Sequence, residues 1–467
     1  MIFYISTLGC KVNQHESDIL AAGLMSRGWQ AAGENETAQV CIVNTCTVTQ
    51  KASMQSRQVI RQLLRSHPGA RIVVTGCYAQ IAPAEIEAID GVHFIAGQHC
   101  KSELADIIVQ TVAQADGTAL RSVAPLPYGM RFNAPKAPAP GVRTRPYLKI
   151  QDGCDSFCTY CIVPHARGRS RSMPPEQVLD HLRQLGDMGY QEVVLTGIHL
   201  GGYGKDLSPG TNLLTLMEAI EKAQPLRRIR LSSVEPNELS DPMIDLVAES
   251  DLFCPHFHLP LQSGDDRILQ KMHRPYGRDL FRRQVEHIKR RLPQAGIGSD
   301  VLVGFPGEDE QAFASTLELL EALPLTYLHV FPFSARPGTP AAAFPGQLPN
   351  EVIKRRTAQV RKIGSAKKQA FQRRAVGRQT EVLVETRRDA STGLLKGVTP
   401  NYLAVLLDGG DHHMNKIVTV LVQDLHHDNR LEGCIVDPCL ASDRRMPSAH
   451  TENHSNVANH EGEQNEL

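Results

Sequence analysis

Short apolar segments alternate with longer amphipathic segments in the first part of the chain. The pattern predicts three strands and three helices, namely Ile2–Ser6, Val40–Asn44 and Ile72–Thr75 as strands, and Ser17–Arg27, Ala52–Arg65 and Pro83–Ala88 as helices. Strands that alternate with helices form parallel sheets covered on both faces. Residues 1–123 are therefore expected to form a three-layer αβα unit with a parallel sheet.

A second run of alternation follows a proline-rich segment, residues 124–142, which the proline density predicts to be an extended linker. The strands predicted beyond it are Tyr147–Gln151, Glu192–Thr196, Arg228–Ser232, His256–Leu259, Gly298–Val303 and Tyr327–Phe331. Six strand–helix repeats favour an open or partial (βα)6 barrel over a second flat sheet. This unit, with a long basic helix at its end, is expected to cover residues 143–375.

The last part of the chain changes character. The pattern predicts a small β domain over residues 376–440, with strands at Thr380–Glu385, Tyr402–Leu407 and Ile417–Val422. Residues 441–467 are polar and almost free of large apolar side chains, so they are expected to form a disordered tail. The expected fold is thus α/β, with a small β-barrel at the C-terminal end.

Composition narrows the choice of partners and location. The 467 residues have a formal net charge of zero, so any nucleic acid must meet a local basic patch. No apolar run reaches the ~20 residues of a membrane span, and the N-terminus has no signal-peptide pattern, so no membrane is expected. The protein is therefore expected in the reducing cytoplasm. There, a chain with eleven cysteines more often has metal or redox chemistry than disulfides.

Three cysteines, Cys154, Cys158 and Cys161, lie close together directly after the first predicted barrel strand. Three thiolates on one loop can each bind one iron of a four-iron cluster, which leaves the fourth iron open for a small chelating molecule. The alternative is a zinc site, but structural zinc normally uses four ligands in paired units. The spacing therefore favours a cluster with an open iron.

A second set, Cys10, Cys46 and Cys77, is dispersed in the sequence, but each member follows the end of a predicted strand. Parallel strands end at one edge of their sheet, where α/β folds place ligands, so the three thiols can meet. The periodicity alone leaves open a second possibility, that they are three unrelated core residues.

The segments around both sets resemble the methylthiotransferases of the radical S-adenosylmethionine superfamily. The motifs with this similarity are TLGCKVNQ at residues 7–14, NTCTV at 44–48, TGCYAQ at 75–80, GCDSFCTYC at 153–161, and SSVEP, HLPLQSG and DVLVGFPGE at 232–236, 258–264 and 300–308. The resemblance covers the chain from Met1 to about Cys439.

The resemblance implies two 4Fe–4S clusters and S-adenosylmethionine as cofactors. The cluster held by Cys154, Cys158 and Cys161 would bind S-adenosylmethionine and generate the radical, which makes these cysteines catalytic. The cluster held by Cys10, Cys46 and Cys77 would carry the sulfur, which is methylated and then joined to carbon 2 of an adenine. An external electron donor, such as flavodoxin or ferredoxin, and a sulfur source are implied as well.

Within the family, the segment around Cys10 is most similar to the branch that acts on threonylcarbamoyladenosine at position 37 of tRNA, in the anticodon loop. Other branches act on isopentenyladenosine in tRNA or on an aspartate of a ribosomal protein, and a non-enzymatic iron–sulfur RNA-binding protein is a more distant alternative. The C-terminal domain resembles a TRAM domain, which implies RNA binding beside the basic helix.

Five further residues are candidates for contacts with the cofactor. Glycines permit a backbone to approach a ligand closely, and a carboxylate or an amide can bind a ribose or an amino group. The alternative for each is ordinary turn chemistry. These candidates are Gly197, Gly201, Glu235, Gln262 and Gly304.

Overall fold

The structure is a computed structural model that describes residues 1–33, 36–114, 120–126, 129–135, 137, 143–426 and 428–436. The predicted disordered tail, residues 441–467, and much of the predicted linker lie outside the described residues. Among the described residues, no helix combines the length and the apolar character needed to cross a membrane.

The N-terminal part folds as a six-stranded parallel sheet with helices on both faces. Its strands are Ile2–Thr7 (β1), Gln30–Ala31 (β2), Val40–Thr45 (β3), Arg71–Gly76 (β4), Val92–Ala96 (β5) and Leu120–Ser122 (β6), in the order β2-β1-β3-β4-β5-β6. Its helices are Lys11–Met25 (α1), Gln50–Ser66 (α2), Cys77–Ile81 (α3), Pro83–Glu87 (α4) and Leu104–Gln114 (α5).

Successive side chains of β3 pack on opposite faces of this sheet. Cys41 and Val43 join the apolar cluster that includes α2, whereas Val40 and Ile42 join the cluster that includes α1 and α5. A central parallel strand is buried on both sides, which explains its uninterrupted apolar sequence. The predicted αβα arrangement is confirmed.

The central part is an open barrel built from two three-stranded parallel sheets. The strands are Tyr147–Lys149 (β7), Gln151–Asp152 (β8), Arg171–Ser172 (β9), Glu192–Thr196 (β10), Arg228–Leu231 (β11), His256–His258 (β12), Gly296–Val303 (β13) and Tyr327–Pro332 (β14). Sheets β7-β10-β11 and β12-β13-β14 adjoin at β11 and β12, while β8 and β9 form a short antiparallel pair. The predicted partial barrel is confirmed.

Helices cover the outside of the barrel, and its apolar core lies between them and the strands. They are Val163–Arg167 (α6), Pro175–Asp187 (α7), Leu213–Ala223 (α8), Asp241–Glu249 (α9), Asp266–Lys271 (α10), Arg278–Arg291 (α11) and Glu310–Ala322 (α12). The long helix Asn350–Arg373 (α13) packs against β14. Within α13, Arg356 turns inward to Glu308, and Lys367 donates to the carbonyl of Leu323, so these two cations do not face solvent with the others.

The C-terminal part is a closed five-stranded barrel with the order β15-β16-β17-β19-β18. Its strands are Gln379–Arg388 (β15), Leu395–Val398 (β16), Ala404–Leu407 (β17), Ile417–Leu425 (β18) and Leu431–Ile435 (β19). The sequence pattern missed β16 and β19, which are only four and five residues long. Closure removes the exposed sheet edges that such a small domain would otherwise present.

Candidate functional site

The carboxyl edge of the N-terminal sheet brings Cys10, Cys46 and Cys77 into one region. Cys10 caps the start of α1, Cys46 follows β3, and Cys77 is the first residue of α3. Gly9 has a φ of +94°, and a Cβ at this position would lie 2.8 Å from the Cβ of Cys46. A glycine is therefore needed for the loop that carries Cys10 to approach Cys46 so closely.

The three thiols affect one another electrostatically. The pKa of Cys77 is raised to about 11, chiefly by burial and in addition by the neighbouring Cys10 and Cys46, while Arg167 acts in the opposite direction. Burial likewise raises the pKa of Cys46. Such buried thiols form thiolates readily only when a positive centre, such as a metal, replaces the lost hydration.

The second set of cysteines lies on the loop after β8. Gly153 begins this loop with a φ of +73°, and a Cβ there would collide with the carbonyl oxygen of Arg169. Burial raises the pKa of Cys161 to about 12, and the thiols of Cys158 and Cys154 add to the effect. The three thiols therefore lie near enough to act on one another, as the short spacing predicted.

Polar side chains hold two of these sulfur atoms. His199 Nδ1 lies 3.6 Å from Cys154 Sγ, and its Nε2 lies 2.7 Å from a carboxylate oxygen of Glu238. Burial opposes the charge of His199, but these two hydrogen bonds outweigh it and raise its pKa to about 10. On the other side, Arg274 donates to Cys158 Sγ at 3.1 Å. A cation or a proton donor thus stands beside each of these two sulfurs.

One other group of possible metal ligands lies in the barrel. Among the described residues, only His258, Asp300 and His329 form a group of three possible metal ligands whose ligand atoms all lie within 4.8 Å of one another.

A network of buried ions joins the two cysteine sites. Arg167, in α6, contacts Glu16 at 2.8 Å and Asp152 at 3.0 Å, and it donates to the side-chain oxygen of Asn13. Lys101 and Lys149 also pair with Glu16, Lys149 pairs with Asp152, and Arg171 pairs with Asp152. Because α3 begins at Cys77 and packs on α6, this network holds the two sites side by side.

Three cations near the Cys154 loop are occupied by this network. Lys149, Arg167 and Arg171 are turned inward and paired with carboxylates, so they are not exposed to an RNA phosphate. Glu16, which pairs with Lys149 and Arg167, lies more than a hundred residues away from both in the sequence, so adjacency in the chain could not predict these pairs.

Of the five other candidates, Glu235 is connected to a cysteine through one shared side chain. Its carboxylate is paired with Arg274, which also contacts Cys158. Burial raises the pKa of Glu235, while Arg274 opposes this effect. Glu235 is thus linked to the Cys158 sulfur through one shared arginine.

The other four candidates line the carboxyl ends of the barrel strands. Gly197 approaches the side chain of Gln151, and Gly201 is pressed against Glu238. Gln262 adopts the left-handed conformation, with a φ of +67°. Gly304 donates to Glu308 and abuts Ile353, where a Cβ would lie 2.6 Å from a side-chain carbon. For Gly304 the close neighbour in the structure is helix α13.

The fold and the two cysteine sites define a class of iron–sulfur enzyme that works at the mouth of an open βα barrel. The model of the radical SAM superfamily matches residues 148–320, and that of the uncharacterized protein family UPF0004 matches residues 2–97. The solved structure of the radical S-adenosylmethionine methyltransferase TsrM from Kitasatospora setae has a TM-score of 0.52 at 14% identity. It covers 71% of this chain, which in turn covers 72% of that structure.

Curated relatives extend the similarity over most of the chain. The threonylcarbamoyladenosine tRNA methylthiotransferases MtaB of Bacillus subtilis and Aquifex aeolicus are 37% and 36% identical, each over 89% of this chain and over 92% and 98% of their own lengths. The tRNA-2-methylthio-N(6)-dimethylallyladenosine synthase of Carboxydothermus hydrogenoformans is 34% identical over 93% of this chain and 99% of its own length.

The chain belongs to the tRNA methylthiotransferases of the radical S-adenosylmethionine superfamily. It is therefore an enzyme that modifies tRNA, and its cofactors are S-adenosylmethionine and iron–sulfur clusters of the 4Fe–4S type.

Proposed function

We propose that the protein converts threonylcarbamoyladenosine next to the anticodon of tRNA to its 2-methylthio derivative. The observation that carries the proposal is the position of two cysteine trios side by side across the Arg167 network. A reaction that generates a radical and also delivers sulfur needs two such centres within reach of one base. Relatives named for this nucleoside are among the most similar to the chain.

Cys154, Cys158 and Cys161 are proposed to bind one cluster, and Cys10, Cys46 and Cys77 the other. When bound, the first cluster and S-adenosylmethionine supply a 5′-deoxyadenosyl radical, and the second centre supplies the sulfur. Glu235 and Gln262 are proposed to contact S-adenosylmethionine, with Gly197, Gly201 and Gly304 shaping the surrounding backbone. The chain itself contributes binding, orientation and exclusion of water.

Each polar neighbour has a defined part in this arrangement. Arg274 stabilises negative charge on Cys158 Sγ by donating a hydrogen bond, and it fixes the carboxylate of Glu235 at the same time. His199, held by Glu238, donates toward Cys154 Sγ. Hydrogen bonds to ligand sulfurs are one of the means by which proteins adjust the reduction potential of a cluster.

We further propose that the C-terminal barrel and the exposed face of α13 bind the phosphates of the tRNA, as a TRAM domain would. Exposed cations of α13, among them Lys354 and Lys362, support this proposal. An electron donor such as flavodoxin or ferredoxin, and a sulfur source, are required from outside the chain. The reducing cytoplasm is the expected location of this thiol-bound iron and of its tRNA substrate.

The test is mass spectrometry of tRNA nucleosides from cells that lack the gene, and from the same cells with the gene restored. We expect 2-methylthio-threonylcarbamoyladenosine to disappear, its unmethylthiolated precursor to accumulate, and the restored gene to reverse both changes. The matched control is a restored gene that carries Cys46→Ala, because it separates loss of the reaction from loss of the protein. Unchanged modified nucleoside in the deletion strain would contradict the proposal.

A second candidate substrate is dimethylallyladenosine, because several relatives named for it are 33–34% identical to the chain. The same nucleoside profile separates the two, since each product has its own mass. Loss of the 2-methylthio-dimethylallyl nucleoside alone would favour this second substrate.

A further inference from the structure

Three adjacent strands of the barrel each turn one ionisable side chain toward its interior. These side chains are His258 in β12, Asp300 in β13 and His329 in β14. A chain neighbour of each residue belongs to the apolar core under the outer helices or packs against it, and successive side chains of a strand point to opposite faces. All three side chains therefore point away from the helices and into the barrel.

The pairing of the strands brings the three side chains together. Asp300 and His329 are direct partners in the parallel pair of β13 and β14. His258 is the partner of Gly298, which lies two residues before Asp300 on the same face of β13. Neighbouring strands are only about 4.8 Å apart, so the side chains meet across them. His258 Nε2 lies 2.9 Å and His329 Nδ1 lies 3.2 Å from the same carboxylate oxygen of Asp300.

These separations suit the ligands of one metal ion. With metal–ligand bonds of about 2.0–2.2 Å, two nitrogen or oxygen ligands of one ion lie about 2.8–3.6 Å apart. Both distances to Asp300 fall in this range, and the ligand atoms of all three residues lie within 4.8 Å of one another. The distances also suit hydrogen bonds, in which protons take the place of the metal. Two histidines and one carboxylate are a known ligand set of zinc and of iron(II).

A tyrosine behind the group orients His258. The hydroxyl of Tyr327 lies 3.1 Å from His258 Nδ1 and 2.8 Å from His256 Nε2. Tyr327 reaches from β14 to β12 because Gly298 lies between them, where a Cβ would be 2.0 Å from the tyrosine ring. Histidines that bind metals almost always form such a hydrogen bond with their second ring nitrogen, and this bond fixes the ring. Nε2 of His258 is thus the atom presented to the other two ligands.

The group is closed on one side and open on the other. The side chain of His258 is 8% exposed, that of Asp300 is 22% exposed and that of His329 is 54% exposed. His329 lines a cavity of about 520 Å³ that lies between β14, α13 and the C-terminal domain. Three protein ligands leave at least one position of a metal ion free, and a water molecule or another oxygen ligand can enter from this side.

We propose that His258, Asp300 and His329 bind a divalent first-row metal ion, with one position open to an oxygen ligand. The proposed clusters are bound by cysteine sulfurs, whereas this group has only nitrogen and oxygen donors, so it is a third and chemically distinct metal site. Zinc is the ion of choice for the test, because such donors bind zinc more tightly than iron(II). The inference does not depend on which nucleoside the enzyme modifies.

The test uses the anaerobically reconstituted full-length enzyme, to which zinc is added after the clusters have formed. Excess metal is removed by gel filtration, and iron and zinc per chain are measured by plasma mass spectrometry. Zinc affinity is measured by competition with a chelating dye. X-ray absorption at the zinc edge identifies the ligands, because nitrogen and oxygen lie at about 2.0–2.2 Å from zinc and sulfur at about 2.3 Å. The cluster iron does not contribute to this edge.

Three variants and one control separate the ligands from their surroundings. His329→Ala removes one ligand at a half-exposed position, and Asp300→Asn removes the charge of another. Tyr327→Phe removes only the hydroxyl behind His258. The control is His287→Ala: His287 also lies 2.9 Å from a carboxylate oxygen, that of Asp241, but no third ligand joins this pair among the residues that the structure describes.

The wild type is expected to hold about one zinc per chain beside about eight irons, with nitrogen and oxygen ligands only. His329→Ala and Asp300→Asn should lose this zinc, and Tyr327→Phe should bind it about ten- to a hundred-fold more weakly, all with the iron unchanged. His287→Ala should match the wild type. If Asp300→Asn also loses iron, it has not folded correctly, and His329→Ala decides.

Three results would overturn the inference. The first is a wild type that retains no zinc after gel filtration. The second is zinc that persists at full stoichiometry in His329→Ala. The third is a sulfur shell around the zinc, which would assign the ion to cysteines instead of the proposed site.

Discussion

Replacement of Arg167 by Met tests whether the buried ion network holds the N-terminal sheet to the barrel. The arginine is 1% exposed and makes four hydrogen bonds, two to Glu16, one to Asp152 and one to Asn13. Met occupies part of the same volume but restores none of these bonds. The variant therefore isolates the polar contribution of one side chain to the contact between the two parts.

The magnitude follows from the charges that remain. Removal of one partner from a buried ion pair typically costs about 3–5 kcal/mol because the other charge is left without compensation. Here Lys101, Lys149 and Arg171 still face the two carboxylates, so neither carboxylate is left unpaired. We therefore expect a loss of about 3 kcal/mol, at the lower end of that range.

The only tryptophan of the chain gives a local probe. Trp29 is buried in the N-terminal unit, so its fluorescence during urea unfolding reports on that unit. With an m-value of about 1–3 kcal/mol/M, a loss of about 3 kcal/mol lowers the urea midpoint by at least about 1 M. Arg169→Met is the matched control, because Arg169 is half exposed and its pair with Asp155 contributes at most about 1 kcal/mol. Equal midpoints for the two variants would refute the reasoning.

Three further predictions concern the proton balance, the cluster loop and RNA binding. Burial, followed by the charge of Lys149, lowers the pKa of His15 to about 4, below the unfolded value of about 6.5. Between these two pH values the unfolded chain binds more protons than the folded one. The free energy of unfolding should therefore fall by about 3 kcal/mol as the pH drops from 6.5 to 4. In His15→Gln this part of the pH dependence should be absent when unfolding is followed by the fluorescence of Trp29. If the free energy of unfolding still depends on pH as steeply as in the wild type, the prediction is wrong. Gly153→Ala brings a Cβ against the Arg169 carbonyl at a residue with a positive φ. We therefore expect the iron content after reconstitution to fall from about eight to about four atoms per chain. The control Gly189→Ala, which also has a positive φ but no close neighbour, should retain about eight. Lys362→Gln should weaken the binding of every tRNA. It should also reduce the slope of the logarithm of the tRNA-binding constant against the logarithm of salt concentration by about 0.7–0.9. An unchanged slope would exclude a phosphate contact at this position.

Apolar periodicity predicted the six parallel strands of the barrel within a few residues, but only β1, β3 and β4 of the six strands in the N-terminal sheet. Strand β10 was predicted with both ends correct, and β3 differs only by its last residue. Buried parallel strands are apolar on both faces, so their pattern contrasts with the surrounding helices. The cysteines were found for a related reason, because each follows a strand end and strand ends meet at one edge.

The start of α1 shows where such reasoning stopped. The pattern predicted a helix from Ser17, but the helix begins at Lys11, and its first turns bury Asn13, His15 and Glu16. Polar residues give no apolar stripe, so periodicity could not assign them to a helix. Each of the three has at least one partner in the barrel, far away in the sequence, and this contact buries it.

The sequence by itself determined the order of strands and helices, the two cysteine sets and the sheet edges on which they lie, because periodicity and adjacency in the chain are local properties. Only the tertiary structure decided which charges are paired. It placed Arg167 between Glu16 and Asp152, two carboxylates that lie far apart in the sequence. The energy of a charge depends on its burial and on groups distant in the sequence, and the fold alone brings those together.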